Sequence, residues 1–116
     1  MTGAPLTYGP RTRARDENAL VQSHLPLVRR LAWHVHGALS TAIEVEDLVQ
    51  VGLVALVEGV AVFEDRGQVT LKQYLTTRIR GAMIDELRRH AAMTRGAIRR
   101  RRDFVRVQAS LANLLG

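Results

Sequence analysis

The apolar residues of this chain recur at spacings of three and four, in blocks separated by short polar or glycine-containing stretches. Leu20, Leu27, Leu31 and Val35 form one stripe in "RDENALVQSHLPLVRRLAWHVHGAL", and this spacing predicts a helix. Asp16 is the expected N-cap, and Asp16 and Glu17 suit a positive helix start. Pro26 has no N–H and clashes with the preceding turn, so the helix should kink or split near His24–Leu25. After the connector "STAIEVED", Leu48, Val49, Gly52, Leu53, Leu56, Val57 and Val60 predict a second helix with a broad buried face. Its valines would also suit a strand. Its length and its glycines, Gly52 and Gly59, argue for a helix in which close approach uses those glycines.

A turn around Gly67 follows. Thr70 and Gln73 then form a capping box, with Val69 and Tyr74 in the hydrophobic-staple positions. The third helix should run to about His90, with "AAMTRG" breaking it. A last helix, about Ala97 to Leu115, should pack through Phe104, Val107, Leu111 and Leu114. Residues 1–15, with Pro5, Pro10 and three arginines, read as a flexible basic arm. No strand signal or repeat competes, so the expected fold is all-α, a compact bundle of about four helices. The expected division is an arm over 1–15, a helical domain over 16–95 and an Arg-rich helix over 96–116.

At 116 residues the chain suits one domain, able to bury about 60–70% of its unfolded surface. It has no cysteine, which excludes disulfides and thiolate metal sites, and its four histidines form no ligand pattern. No metal or cofactor is expected. No apolar run reaches the length of a membrane span, and no secretion signal opens the chain, so a reducing cytoplasm is the expected setting. The adjacent acids Glu46–Asp47 and Asp85–Glu86 point apart on their helices, and no nucleophile is paired with a base, so an enzyme is not expected.

The charge distribution is more informative than its total of +6. Residues 1–70 carry six arginines and eight acids, a net of −2, whereas residues 71–116 carry eleven Lys and Arg against three acids, a net of +8. The C-terminal part therefore suits a polyanion, although a solvated basic face has the same composition. Around the third helix, Leu75, Ile79, Met83 and Leu87 share one face, while Tyr74, Thr77, Arg78, Gly81, Asp85 and Arg88 line the other. An aromatic ring can stack on an unpaired base, and a guanidinium can hold a phosphate or a guanine edge. Salt bridges between Asp85 and Arg88 or Arg89 on a plain solvated surface are the alternative. On the second helix, Asp47, Gln50, Val51, Val54 and Glu58 make a mixed face in an acidic segment. That face suits a basic protein surface rather than DNA, the alternative being partial burial against the first helix.

Three stretches, "VEDLVQVGLVALVEGV", Phe63-x7-Leu71-x2-Tyr74 and "RIRGAMIDELRR", resemble region 2 of bacterial RNA polymerase sigma factors. The likeness is to the flagellar and sporulation branch of the sigma-70 family. It implies a transcription initiation subunit that binds core RNA polymerase and promoter DNA. Asp47, Gln50, Val51, Val54 and Glu58 would face the polymerase clamp coiled coil. Leu71, Lys72, Tyr74, Thr77, Arg78, Arg80, Asp85, Arg88, Arg95 and Arg99 would face DNA of a −10-type element. The Arg-rich last helix resembles the start of region 3. Leucine stands at 71 where the family pattern has an aromatic, and Ala92 and Thr94 stand where this branch shows Trp and Pro. No counterpart of region 4 lies within the 116 residues, so a truncated sigma factor is expected. A separate region-4-like subunit and an anti-sigma factor are further candidate partners. The other functions open to such a chain are a region 2 mimic that occupies polymerase or an anti-sigma factor, and a nonspecific basic helical binder of nucleic acid.

Overall fold

The computed structural model describes residues 10–39 and 42–116. Its secondary structure is entirely helical among these residues: α1 (Pro10–Ser23), α2 (Leu25–Ala38), α3 (Val45–Val62) and α4 (Leu71–Leu115). The chain divides into two units, Met1–Glu86 and Leu87–Gly116.

The expected split at Pro26 is present, and its chemistry is local. At His24 the backbone N–H turns to the Val21 carbonyl, 3.1 Å away, which leaves the Leu20 carbonyl without its usual helical donor. The Ser23 hydroxyl donates to that oxygen at 2.9 Å, and His24 Nδ1 lies 2.7 Å from it. The second contact requires the proton on Nδ1. Pro26 then occupies the first turn of α2, where its missing N–H costs nothing.

The first unit is organised around α3. Leu27, Val28, Leu31, Ala32 and Val35 of α2 are buried, as are Leu48, Val49, Ala55, Leu56 and Val60 of α3, and Leu75, Ile79 and Met83 of α4. Full burial of each large side chain stabilises the fold by about 1.5–3 kcal/mol. Two glycines set the spacing of α3 and α4. A Cβ on Gly52 would stand 2.6 Å from Met83 Cε and 2.8 Å from Val28 Cγ1. On Gly59 it would stand 2.7 Å from Leu75 Cδ2. Both gaps are shorter than carbon–carbon contact, so a side chain at 52 or 59 would require its neighbours to shift. An exposed pair, Arg29 to Glu46 at 3.4 Å, bridges α2 and α3 and contributes at most about 1 kcal/mol.

The turn between α3 and α4 follows the sequence. Gly67 has φ of 76°, in the left-handed region that glycine tolerates, and its N–H donates to Asp65 Oδ1 at 3.0 Å. The capping box is formed on both sides: the Gln73 N–H donates to Thr70 Oγ1 at 3.1 Å, and the Thr70 N–H donates to Gln73 Oε1 at 2.9 Å. Val69, at the staple position, remains exposed, so these reciprocal bonds define the helix start.

Several expectations are corrected. Residues 10–15 belong to α1 rather than to a flexible arm, because proline at a first helical position starts a helix instead of breaking one. Residues 1–9 of the expected arm lie outside the described residues. Asp16 is therefore inside α1 and is not its N-cap. Leu20 and Val57 are exposed despite falling on the apolar stripes. The segment 91–96 does not break the helix: α4 is continuous to Leu115. No proline follows Pro26, and Gly96 costs only about 1 kcal/mol, too little to stop a propagating helix rich in Ala and Arg. Phe104, Val107, Leu111 and Leu114 are not core residues; they are between 52% and 82% exposed.

Candidate nucleic-acid interface

The first turns of α4 place Tyr74 and Arg78 one helical turn apart on the side away from Leu75, Ile79 and Met83. The capping box fixes where that helix begins and hence which residues share each side. Tyr74 is half-buried, and its ring packs against Phe63, the residue that ends α3, with centroids 5.3 Å apart and planes tilted by 44°. A tilted aromatic pair at this distance is favourable and orients the ring.

Arg78 lies over the backbone of α3. Because residue 59 is glycine, the arginine stem fits close to it; a Cβ there would be 3.0 Å from Arg78 Cδ. The guanidinium then reaches two partners. Its Nη1 donates to the Tyr74 hydroxyl at 3.2 Å, and its Nη2 lies 3.7 Å from Glu58 Oε1. The Arg78 side chain is 37% exposed and that of Glu58 is 61% exposed. Phe63, Tyr74, Arg78 and Glu58 thus form one accessible cluster combining an aromatic surface, a guanidinium and a carboxylate. It can stack on a planar ring and donate hydrogen bonds beside it.

The other candidates fall into distinct places. Thr77, Gly81 and Asp85 are exposed and continue the stripe of Tyr74 and Arg78 along α4. A Cβ on Gly81 would meet only open space. Leu71 is half-buried in the first turn. Lys72 and Arg80 are exposed, but helical geometry turns them about 160° and 120° from Tyr74, so they do not join the cluster. Arg88, Arg95 and Arg99 are exposed in the unit Leu87–Gly116. On α3, Asp47, Gln50, Val54 and Glu58 are exposed and Val51 is half-buried, an accessible acidic face with Val54 as an apolar point.

One member of the cluster, Phe63, and the glycine beneath it, Gly59, are not assigned to the site by sequence. Phe63 was visible as the first residue of the Phe-x7-Leu-x2-Tyr spacing, but its ring contact with Tyr74 spans the whole turn. Gly59 was visible as a glycine suited to close helix approach, without the identity of the approaching side chain. The pairing of Glu58 with Arg78 joins residues that sequence patterning put on separate faces, and no local signal could have revealed it.

Among known proteins, the family model of sigma-70 region 2 matches residues 20–93. The RNA polymerase sigma factor FliA of Pseudomonas aeruginosa is 35% identical over 82 residues, which cover 71% of this chain and 33% of the relative. The RNA polymerase sigma factor for flagellar operon of Vibrio parahaemolyticus is 36% identical over 86 residues, 74% of this chain and 36% of the relative. FliA of Escherichia coli K12 is 33% identical over 101 residues, 87% of this chain and 42% of the relative. The chain therefore spans between 33% and 42% of the length of these curated relatives.

Proposed function

The chain belongs to the sigma-70 region 2 family, and on that premise we propose that it is a transcription initiation subunit: its α3 face docks core RNA polymerase, and the outer stripe of α4 engages promoter DNA of a −10 type. The observation that carries this reading is the cluster of Tyr74 and Arg78 against Phe63, an accessible ring and guanidinium held side by side. Stacking on an opened base and hydrogen bonding to its edge are what such a pair does best. The acidic, partly apolar face of Asp47, Gln50, Val51 and Val54 supports the polymerase half of the reading, since a protein surface with basic groups would complement it. In this reading Asp85 accepts from a base amine or orients a neighbouring arginine, and Arg88, Arg95 and Arg99 hold phosphates.

The test has two parts. Immobilised chain should retain purified core polymerase, and Asp47→Lys should abolish the retention. Fluorescence anisotropy with short single strands selected by the chain from a random pool should show that Tyr74→Ala weakens binding by about 1–3 kcal/mol, the cost of one stacked base. Leu71, aliphatic where the family pattern has an aromatic, favours a second reading, a region 2 mimic that binds polymerase or an anti-sigma factor without reading DNA. A mimic would retain polymerase while Tyr74→Ala left strand binding unchanged.

A further inference from the structure

Glu58 sits on α3, whose outer face the proposed function gives to polymerase, yet its carboxylate lies 3.7 Å from the guanidinium of Arg78 on the neighbouring helix. That separation is an ion pair without a close hydrogen bond. Arg78 is also held by the Tyr74 hydroxyl at 3.2 Å and by its stem lying over Gly59, so its orientation does not depend on Glu58 alone. The carboxylate's main effect is on charge. A negative group this close, well inside the roughly 8 Å screening length of physiological salt, cancels most of the positive potential that Arg78 would offer a distant phosphate. The hydrogen-bond donors of the guanidinium remain, and only a ligand that approaches at the correct angle can use them.

We propose that Glu58 is a specificity-determining residue of the nucleic-acid stripe. It neutralises Arg78 toward the uniform charge of a strand and leaves it a directional donor to a base edge beside the Tyr74 ring. Electrostatic attraction to phosphate is indifferent to sequence, whereas base-edge hydrogen bonds are not, so a charge-compensated arginine trades raw affinity for discrimination. The proposal rests on the DNA-reading function above and adds a role for a residue whose exposure alone would give it to the polymerase face.

The experiment compares the chain with Glu58→Gln, Arg78→Ala and the double variant. Glu58 is exposed, so the glutamine variant should keep its helical circular dichroism. Binding is measured for a single strand selected by the wild-type chain and for the unselected pool, over a range of salt. Glu58→Gln should tighten binding to the unselected pool about two- to fivefold, the size of a partly exposed charge pair. It should also steepen the dependence of log K on log salt by about 0.7, one further phosphate contact on a single strand, and lower the ratio of selected to unselected affinity. In the Arg78→Ala background the same change still removes a negative charge, but it should leave the ratio unmoved and shift the slope by much less than about 0.7, because no guanidinium is left to take up a phosphate. If Glu58→Gln leaves slope and ratio at wild-type values and lowers only polymerase retention, the carboxylate serves the protein face and the proposal is overturned. If wild-type chain binds no strand at all, the DNA-reading function falls and this proposal with it.

Discussion

Helix α4 carries apolar residues at spacings of three and four in two stretches, and the two meet opposite fates. In the first, Leu75, Ile79 and Met83 have no exposed surface, because α3 lies against them with Gly52 and Gly59 removing the bulk between. In the last, Phe104, Val107, Leu111 and Leu114 recur at helical spacing with side chains just as apolar and stay largely exposed. Periodicity thus fixes which way side chains point from a helix axis. It does not supply a surface for them to pack on. The arginines divide in parallel: Arg78 is held by Tyr74 and Glu58, while the run at 99–102 is exposed.

Truncating one residue from each stretch separates packed from unpacked periodicity most strongly. Ile79→Ala should destabilise the chain by about 2–5 kcal/mol, read as a lower denaturant midpoint, because it opens a cavity in a packed site. Leu111→Ala should stay within about 0.5 kcal/mol, as expected of an exposed residue. A comparable loss at both positions would mean that the last stretch is packed in solution.

The glycine contact that separates the two fates can be tested next. Gly52→Ala should cost about 1–3 kcal/mol by overpacking, since Val28, β-branched and stiff, cannot move away as easily as the end of Met83. Gly81→Ala, on the opposite side of the same pair of helices, meets open space and should stabilise the helix by up to about 1 kcal/mol. If that variant is more stable but loses single-strand affinity, a ligand backbone approaches α4 there.

The helix start is a smaller lever. Thr70→Ala removes one half of the capping box and should cost about 1 kcal/mol in thermal or denaturant unfolding, with Gln73→Ala costing less. An unchanged midpoint in both would show that α4 is fixed by tertiary packing alone.

Much of this architecture was legible in the residues themselves. Pro26 marks the junction of α1 and α2, Thr70 and Gln73 mark the start of α4, and Gly67 marks the turn, because each of these signals acts through atoms within a few residues. The buried faces of α2, α3 and the first part of α4 were also readable, since the 3.6-residue period aligns apolar side chains whatever the partner. The false break at 91–96 shows where local reading fails even on local terms. A glycine weighs against a helix by about 1 kcal/mol, and that is decisive only when the flanking residues propagate poorly.

What the amino-acid order determined, then, is the all-α class, the punctuation between helices and the direction each side chain leaves its axis. Only tertiary structure decided which apolar stripe found a surface, that Phe63 would brace Tyr74 across a turn, and that Glu58 and Arg78 would share one charge-compensated cluster. Those outcomes depend on residues far apart in sequence reaching the same few ångströms, and the spacing of two helices is set by the side chains of both, so no stretch of one of them contains it.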